Sequence, residues 1–317
     1  MGLFKSFTRL FKRERTVADL AKWLDVPEAE LRAWLTGRPT WTLGYEYTRF
    51  TIPKQRGGER TIEAPNDKLK SLQRRILHRL LNPLPMHDAA TGFVQGRSIV
   101  DNARPHVGSG IVINLDLADF FPTITADRVT ALFRAFGWDA DAANLLARIC
   151  TNEGHLPQGA PTSPAISNLA CRRLDERLSR LAEHYHGNYT RYADDITLSL
   201  PGLGRNKRLR RHQGQSRPGW SSRPVRSPTR SLLTLVRKII EEEGFRIQMK
   251  KKVRVQRPHQ RQTATGLVVN QQVNLPRVTR RRIRAMQRRQ MLGQLDETGQ
   301  KQLRGWEALL GMIERQR

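Results

Sequence analysis

The chain contains 317 residues, and 38% of them are hydrophobic, which is enough to bury a sizeable core and excludes a disordered protein. Its 56 Lys and Arg residues against 29 Asp and Glu give a formal net charge of +27, which favours a polyanionic partner, nucleic acid before a membrane surface. Cys150 and Cys171 lack metal-ligand spacing and the companions of a disulfide framework, so they predict a reducing, cytoplasmic location, and no apolar run reaches transmembrane length.

The first 40 residues predict an N-terminal helical extension. The basic stretch MGLFKSFTRLFKRER places apolar side chains on one face of a helix, at Leu3, Phe4, Phe7, Leu10 and Phe11. This face suits a membrane surface, but the stretch lacks the continuous apolar core of a signal peptide, and stable membrane insertion is not expected. The following TVADLAKWLDVPEAELRAWLTG predicts two short helices, divided near Pro27 and ended by Gly37.

The segment YTRFTIPKQRGGERTIEAP predicts a β-hairpin whose two alternating strands are joined by Gly57 and Gly58. Cations on a rigid hairpin suit a triphosphate, with Arg60 donating paired hydrogen bonds and Lys54 acting as a point charge. Any single exposed cation is more often only solvated. A helix is predicted next, over residues 67–81.

Two further segments predict loops with polar side chains. TGFVQGRSIVDNARPH contains a glycine-bearing loop followed by Asn102 and His106, which are candidates for polar contacts. LPQGAPTSPAISNLACRRLDERLSRL predicts a turn that leads into a long helix from about Pro164. Gln158 and Gly159 in this turn let the backbone approach a base or a template strand closely, although a plain loop-to-helix junction is common.

The stretch IVINLDLADFFPTI predicts a buried strand that is interrupted by Asp116, and a charge there is costly unless it is paired or binds a metal. The backbone of Leu117 offers a further oxygen ligand. If the strand continues, Phe120 and Phe121 point to opposite faces, and one of the rings can exclude a sugar 2′-OH. The pattern alone does not select which ring. An amphipathic helix interrupted near its middle is predicted over residues 126–151.

The stretch RYADDITLSL predicts a tight β-hairpin with Asp194 and Asp195 at its tip. Carboxylates at such a tip can hold two divalent cations, which activate an attacking hydroxyl and stabilise a leaving pyrophosphate. Aspartates are also ordinary turn residues, so the pair alone is more often structural. Asp116 supplies a third acid if its strand lies beside this hairpin in one sheet.

The last third of the chain is strongly basic. Residues 201–230 hold nine Lys or Arg and no acid, which predicts a flexible surface insertion that binds nucleic acid without sequence preference. A helix over 231–243 and a strand FRIQM follow, leading to Lys250, Lys251 and Lys252, where a lysine can protonate pyrophosphate. TATGLVVNQQVNL predicts a hairpin, and two helices of a small terminal lobe follow it.

Seven motifs occur in one order: IPKQRGGERTIEAP, GFVQGRSIVDNARPH, NLDLADFFPTI, LPQGAPTSPAISNLAC, YTRYADDITLSL, GFRIQMKK and TATGLVVN. Together they resemble the bacterial retron-type reverse transcriptases, which are RNA-directed DNA polymerases, over residues 45–313. YADD alone is moderately specific, whereas the ordered set is highly specific. NARPH at residues 102–106 matches the NAxxH signature of retron enzymes. Two departures are ATG at 264–266, where VTG is usual, and Lys252, where Thr is usual.

This resemblance implies an α+β fold of the right-hand polymerase type. It comprises fingers, a palm whose antiparallel sheet carries helices on one face, and a small helical thumb. The implied boundaries, after the extension at 1–40, are 41–113 for the fingers, 114–270 for the palm with the basic insertion 201–230, and 271–317 for the thumb.

The resemblance also implies roles for individual residues. Two Mg²⁺ ions, with Mn²⁺ as a substitute, are held by Asp116, Leu117, Asp194 and Asp195, of which the three aspartates are catalytic. The nucleotide contacts are Lys54, Arg60, Asp119, Phe120, Phe121, Gln158 and Lys251, with Phe121 as the gate against ribonucleotides. The nucleic-acid contacts are Asn102, His106, Thr265, Gly266, Arg280, Arg281, Arg284 and Arg288. The proton donor to pyrophosphate stays open between Lys250 and Lys251.

Retron enzymes copy part of a dedicated structured non-coding RNA from dNTPs, start DNA at an internal guanosine 2′-OH, and yield a branched RNA–DNA molecule. They commonly serve in anti-phage defence with an effector protein. One alternative is another retron-like or group II-like reverse transcriptase with a different RNA and priming mode. Another is an inactive RNA-binding protein of the same fold, which the intact acid triplet disfavours because a carboxylate in the Asp116 strand is costly without a role.

Overall fold

The computed structural model describes residues 14–36, 44–54, 57–202, 228–248 and 253–316. The helices in these ranges are α1 Val17–Leu24, α2 Glu28–Ala33, α3 Asp67–Ile76, α4 Ile99–Ala103, α5 Ala126–Ala135, α6 Ala140–Cys150, α7 Ser163–Ala170, α8 Arg172–His184, α9 Pro228–Glu242, α10 Arg277–Met291 and α11 Glu297–Arg315. The strands are β1 Tyr47–Pro53, β2 Glu59–Pro65, β3 Ile111–Asp116, β4 Asn188–Tyr192, β5 Asp195–Leu200, β6 Arg254–Gln256, β7 Thr263–Ala264 and β8 Leu267–Val268.

Several predicted features lie outside the described residues. They are the amphipathic helix at the N-terminus, Gly37, most of the basic insertion, and Lys250, Lys251 and Lys252. The insertion was predicted to extend to residue 230, but α9 already begins at Pro228. None of the helices in the described ranges combines the length and apolar character needed to cross a bilayer.

The chain divides into two compact units, each made from two separate stretches. Unit 1 comprises residues 1–87 and 119–173, and unit 2 comprises residues 88–118 and 174–317. The mixture of helices with antiparallel strands confirms the α+β class. The boundaries of fingers, palm and thumb stay predictions.

Unit 1 contains helices and the hairpin formed by β1 and β2. The two predicted short helices near Pro27 are confirmed, and α1 begins with a capping box between Thr16 and Asp19 that satisfies the first amide groups. The predicted helix over 67–81 forms α3 and continues through one wide turn, Leu77–Leu81. The helix predicted over 126–151 is split at Gly137, whose φ of +84° ends α5 in the left-handed region.

Unit 2 is organised on a four-stranded antiparallel sheet in the order β4-β5-β3-β6. β3 lies inside this sheet, so its apolar side chains Val112, Ile113 and Leu115 are buried, as predicted. The predicted strand FRIQM does not form over its described residues 245–248, where Ile247 makes a single bridge to Leu117. β6 provides the fourth strand instead.

The C-terminal part of unit 2 has its own apolar cluster. The predicted hairpin is confirmed as β7 and β8, with Thr265 and Gly266 at φ +45° and +82° in the two-residue turn, as a type I′ turn requires. Helices α10 and α11 follow, as predicted, and bury Ile283, Leu303 and Ile313 in a cluster with this hairpin.

Candidate functional site

The three acids of the triplet lie at one end of the unit 2 sheet. Asp116 ends β3, and its Cα pairs in register with that of Asp195, which begins β5. Asp194 lies in the two-residue turn before β5, and its carbonyl oxygen accepts a 2.9 Å hydrogen bond from the amide of Leu117. The predicted neighbourhood of the Asp116 strand and the hairpin is therefore confirmed.

The donor chemistry of this end fits a divalent cation. Directly opposed residues in an antiparallel pair have Cβ atoms about 5 Å apart, and like charges there repel unless a cation lies between them. Carboxylate oxygens are the hard ligands that Mg²⁺ prefers. Within the described ranges, however, no group of three or more His, Cys, Asp or Glu side chains is arranged to hold a metal ion. Metal binding by Asp116, Leu117, Asp194 and Asp195 stays a prediction.

The turn that carries Asp194 has an unusual backbone. Ala193, its first residue, has a φ of +57°, the sign found at the first position of a type II′ turn, where glycine is usual. A Cβ atom on Gly92 would lie 2.7 Å from the amide nitrogen of Ala193, so only glycine allows this approach. The loop containing Gly92 therefore packs directly on the backbone of the turn.

A buried ion pair fixes the same turn from the other side. The guanidinium of Arg191 is 0% exposed and donates to both carboxylate oxygens of Asp175, at 2.8 and 2.7 Å. Its remaining terminal nitrogen donates to the carbonyl oxygen of Ala193 at 3.1 Å. Asp175 also accepts a 2.7 Å hydrogen bond from the Tyr189 hydroxyl. The pair thus joins α8 to the turn.

The backbone of Arg191 carries a further connection. Its amide donates to the carbonyl oxygen of Ala89 at 2.8 Å, and its carbonyl oxygen accepts from the amide of Thr91 at 2.9 Å. The segment beginning near Ala89 therefore runs along β4 and delivers Gly92 to the turn.

Asn102 and His106, predicted to contact nucleic acid, are both 0% exposed. Asn102 accepts from the Thr91 hydroxyl at 2.8 Å and donates towards the Thr265 hydroxyl at 3.4 Å. Both polar side chains therefore serve internal hydrogen bonds of unit 2 in this structure. Gly266 beside Thr265 is exposed.

His106 connects α4 to the sheet through both ring nitrogens. Nδ1 lies 2.8 Å from the Ser199 hydroxyl, and Nε2 lies 2.8 Å from the Thr190 hydroxyl. The Thr190 hydroxyl donates its one proton to the carbonyl oxygen of Asn102, so it accepts from a protonated Nε2. Burial lowers the pKa of His106 from 6.5 to about 3, which keeps the ring neutral.

The candidates for nucleotide binding in the described residues all belong to unit 1, whereas the acid triplet belongs to unit 2. Lys54 and Arg60 are exposed on the β1–β2 hairpin, as predicted. The strand was expected to continue through Phe120 and Phe121 and to point their rings to opposite faces. This expectation was wrong, because β3 ends at Asp116 and a turn with Asp119 at φ +46° follows. Even so, Phe120 is 5% exposed and Phe121 is half-buried, so one ring is core and the other is accessible.

Gln158 lies beside a charged cluster on the hairpin. Its carbonyl oxygen accepts a 2.9 Å hydrogen bond from the amide of Glu63. Burial raises the pKa of the Glu63 carboxyl, but hydrogen bonds from Arg49, His155 and Asn152 outweigh that effect and hold the pKa below its usual range. Gln158 is thereby held next to the strand that carries Arg60.

The predicted arginine face of α10 is present. Arg280, Arg284 and Arg288 follow at intervals of four residues, and they and Arg281 are exposed. Contact of these arginines with a phosphate backbone stays a prediction.

Sequence reasoning missed Asp175 and Arg191, which hold the hairpin. A signal was present, because Asp175 lies on the same helical face as Leu174, Leu178 and Ala182, which are all buried. An acid on an apolar face requires a buried cationic partner. Identifying that partner as Arg191 required the tertiary contact.

The chain is similar to known proteins over most of its length. A family model described as reverse transcriptase (RNA-dependent DNA polymerase) matches residues 52–274. The retron Mx162 reverse transcriptase of Myxococcus xanthus is 37% identical over 321 residues, covering 93% of this chain and 63% of that protein. The retron Mx65 reverse transcriptase of the same organism is 39% identical over 290 residues, covering 86% and 62%.

A third relative is covered more fully. The retron Ec86 reverse transcriptase of Escherichia coli is 33% identical over 270 residues, which cover 84% of this chain and 76% of that protein. The chain therefore spans a little under two thirds of the two Myxococcus relatives and about three quarters of the Escherichia coli relative.

Replacing Arg191 with Met should lower the free energy of unfolding by about 3–5 kcal/mol, because Asp175 stays buried without its cation. Urea denaturation measures this loss. The matched control is Arg32→Met, since Arg32 pairs with Glu28 one turn earlier on the exposed side of α2 and should contribute less than about 1 kcal/mol. An equal loss in the two variants would contradict the proposed importance of the buried pair.

Acid should destabilise the protein through His106. Between its ordinary pKa of 6.5 and about 3, the unfolded chain binds a proton that the folded chain rejects, so stability falls as the pH falls through this range. At pH 5 the loss attributable to this ring is about 2 kcal/mol. Urea denaturation at several pH values should show this loss in the wild type and a shallower pH dependence in His106→Gln. Identical pH profiles would exclude the assignment.

Proposed function

Because the chain belongs to the reverse transcriptase family, and within it to the bacterial retron type, we propose that it is the RNA-directed DNA polymerase of a retron. The observation that carries this proposal is the register that sets Asp116 opposite Asp195, with Asp194 in the adjoining turn. Three acids from two distant parts of the chain meet at one sheet end, which supports a metal-dependent nucleotidyl transfer at this end.

In the proposed reaction, Asp116, Asp194 and Asp195 would hold divalent metal, Mg²⁺ with Mn²⁺ as a substitute. The bound metal supplies activation of the attacking hydroxyl and neutralises charge on the leaving pyrophosphate. The side chains of Lys54 and Arg60 bind and orient the triphosphate of the dNTP. The burial of the Asp175–Arg191 pair supports a fixed position for the Asp194 turn during each addition.

Other residues select and position the substrates. The half-buried Phe121 excludes the 2′-OH of a ribonucleotide, with Asp119 and Phe120 beside it in the chain. Gln158 contacts the template–nucleotide pair, and Lys250 or Lys251 donates a proton to pyrophosphate. Contacts to the nucleic acid come from Thr265, Gly266 and four arginines of α10, namely Arg280, Arg281, Arg284 and Arg288. Asn102 and His106 support this surface through the internal hydrogen bonds described above.

We assign the fingers to residues 41–113, the palm to 114–270 and the thumb to 271–317. The template is a cognate structured non-coding RNA, copied in the cytoplasm into single-stranded DNA from an internal guanosine 2′-OH, with an effector protein as partner in anti-phage defence. Similarity to retron reverse transcriptases over 84–93% of this chain supports the retron assignment. A related reverse transcriptase with another priming mode is the second candidate.

Asp194→Asn should abolish Mg²⁺-dependent extension of a DNA primer on an RNA template, because the variant loses one charged oxygen ligand of the metal. Incorporation of labelled dNTPs measures the activity. Asp141→Asn, an exposed acid in the first turn of α6, is the matched control and should keep wild-type activity. Full activity of Asp194→Asn would refute the polymerase assignment.

The retron assignment has its own test. Nucleic acid purified with the protein from cells that carry its native flanking DNA should contain single-stranded DNA whose 5′ end stays attached to RNA after phenol extraction. The joined species should shift in size after ribonuclease treatment and should be missing from cells with Asp194→Asn. Recovery of unbranched DNA alone would favour the second candidate.

A further inference from the structure

Unit 2 contains an open cleft of about 1030 Å³ at the end of the sheet remote from the acid triplet. Its lining includes Gly110, which precedes β3, and Gly202, which follows β5. Asp116 is the sixth residue after Gly110 along β3, which puts the two Cα atoms roughly 20 Å apart. A Cβ atom on Gly110 would lie 2.2 Å from the Cα of Gly202, so this part of the cleft is bare backbone.

All charged residues that line the cleft are cationic. Arg261, Arg277 and Arg280 line it, and no Asp or Glu does. Within the described part of the chain, these three guanidinium groups have no ion-pair or hydrogen-bond partner. Other arginines of the protein, such as Arg49 and Arg177, pair with carboxylates. Three unpaired guanidinium groups in one concave surface are suited to phosphate groups.

The first turn of α10 strengthens this preference for anions. The helix begins at Arg277 after Pro276, has no side-chain hydrogen bond at its cap, and contains no acid in its first turn. The free amide groups and the positive end of the helix dipole lie beside Arg277 and Arg280, so several positive charges repel one another in this region. A bound anion would reduce the repulsion between these positive groups.

Amide side chains divide into two groups around the cleft. Gln262 is 1% exposed, and its side-chain amide donates to the carbonyl oxygen of Ser109 at 3.0 Å. The side-chain oxygen of Asn270 accepts from the main-chain N–H of Gln262 at 2.9 Å. These two residues hold the wall. Gln271 and Gln272 are exposed and have no side-chain hydrogen bond to the described residues, so they can donate to and accept from the edges of bases.

We propose that this cleft binds an unpaired stretch of RNA, with Arg261, Arg277 and Arg280 on the phosphates and Gln271 and Gln272 on the bases. Unpaired bases expose the edges that amides recognise, whereas a duplex conceals most of them. The cleft lies at the end of the sheet opposite the acid triplet and shares Arg280 with the nucleic-acid face proposed for α10. It would hold the RNA template while the copied part moves past the acids. RNA as the ligand rests on the proposed function, whereas anion binding rests on the cleft alone.

The test compares variant proteins by fluorescence anisotropy with a short labelled RNA that lacks self-complementarity and with an RNA duplex of equal length. Arg261→Gln/Arg277→Gln should reduce the slope of log affinity against log salt by about 1.4 for the unpaired RNA, about 0.7 for each lost phosphate contact. The charge-matched control, Arg237→Gln/Arg304→Gln, changes exposed arginines outside the lining and should leave the slope unchanged. Equal slopes for the two double variants would overturn the proposal.

Gln271→Ala/Gln272→Ala should weaken binding of the unpaired RNA about tenfold with an unchanged salt slope, and should leave duplex binding unaffected. An equal effect on both RNAs would overturn base recognition.

Extension of oligo(dT) on poly(rA) should be the same in all variants and the wild type, and its loss in the cleft variants would overturn the separation from the polymerase site. If the wild type itself does not extend the primer, the proposed function fails, and the binding slopes still decide the role of the cleft.

Discussion

The buried ion pair between Asp175 and Arg191 is the interaction on which the acidic hairpin depends. Both side chains are 0% exposed, and each charge is compensated mainly by the other. In a medium that screens charge poorly, neither can be moved or removed alone without a large penalty. Because Arg191 also donates to the carbonyl oxygen of Ala193, the position of α8 is transmitted to the turn that carries Asp194.

The same constraint explains the small residues around the turn. A left-handed conformation at Ala193 costs about 1–3 kcal/mol and persists only where surrounding contacts enforce it. Arg191 supplies a hydrogen bond on one side, and Gly92 closes the other side at a separation that no larger residue permits. The turn is therefore held in one conformation by contacts within unit 2.

The NARPH motif at residues 102–106, which resembles the retron signature, also supports the β4–β5 hairpin. His106 bridges Ser199 of β5 and Thr190 of β4, and Asn102 contacts the loop before Gly92. A neutral histidine suits this position because each ring nitrogen has a hydroxyl partner and no carboxylate compensates a charge. The motif thus acts in the structure as a brace between α4 and the sheet that bears the acids.

Patterns within the chain were sufficient to predict most of the local elements and to draw attention to the acids of the candidate site. Hairpins, helix caps and the basic lobe follow from patterns within short windows, so β1–β2, β7–β8, α1 and α10 were predictable, and Asp116 was conspicuous as an acid in an apolar strand.

Features that depend on contacts between distant residues became visible in the folded chain alone. These are the register of Asp116 with Asp195, the partnership of Asp175 with Arg191, the burial of Asn102 and His106, and the choice of β6 as the fourth strand. Pairing across a sheet and desolvation of a side chain depend on neighbours that a local pattern does not contain.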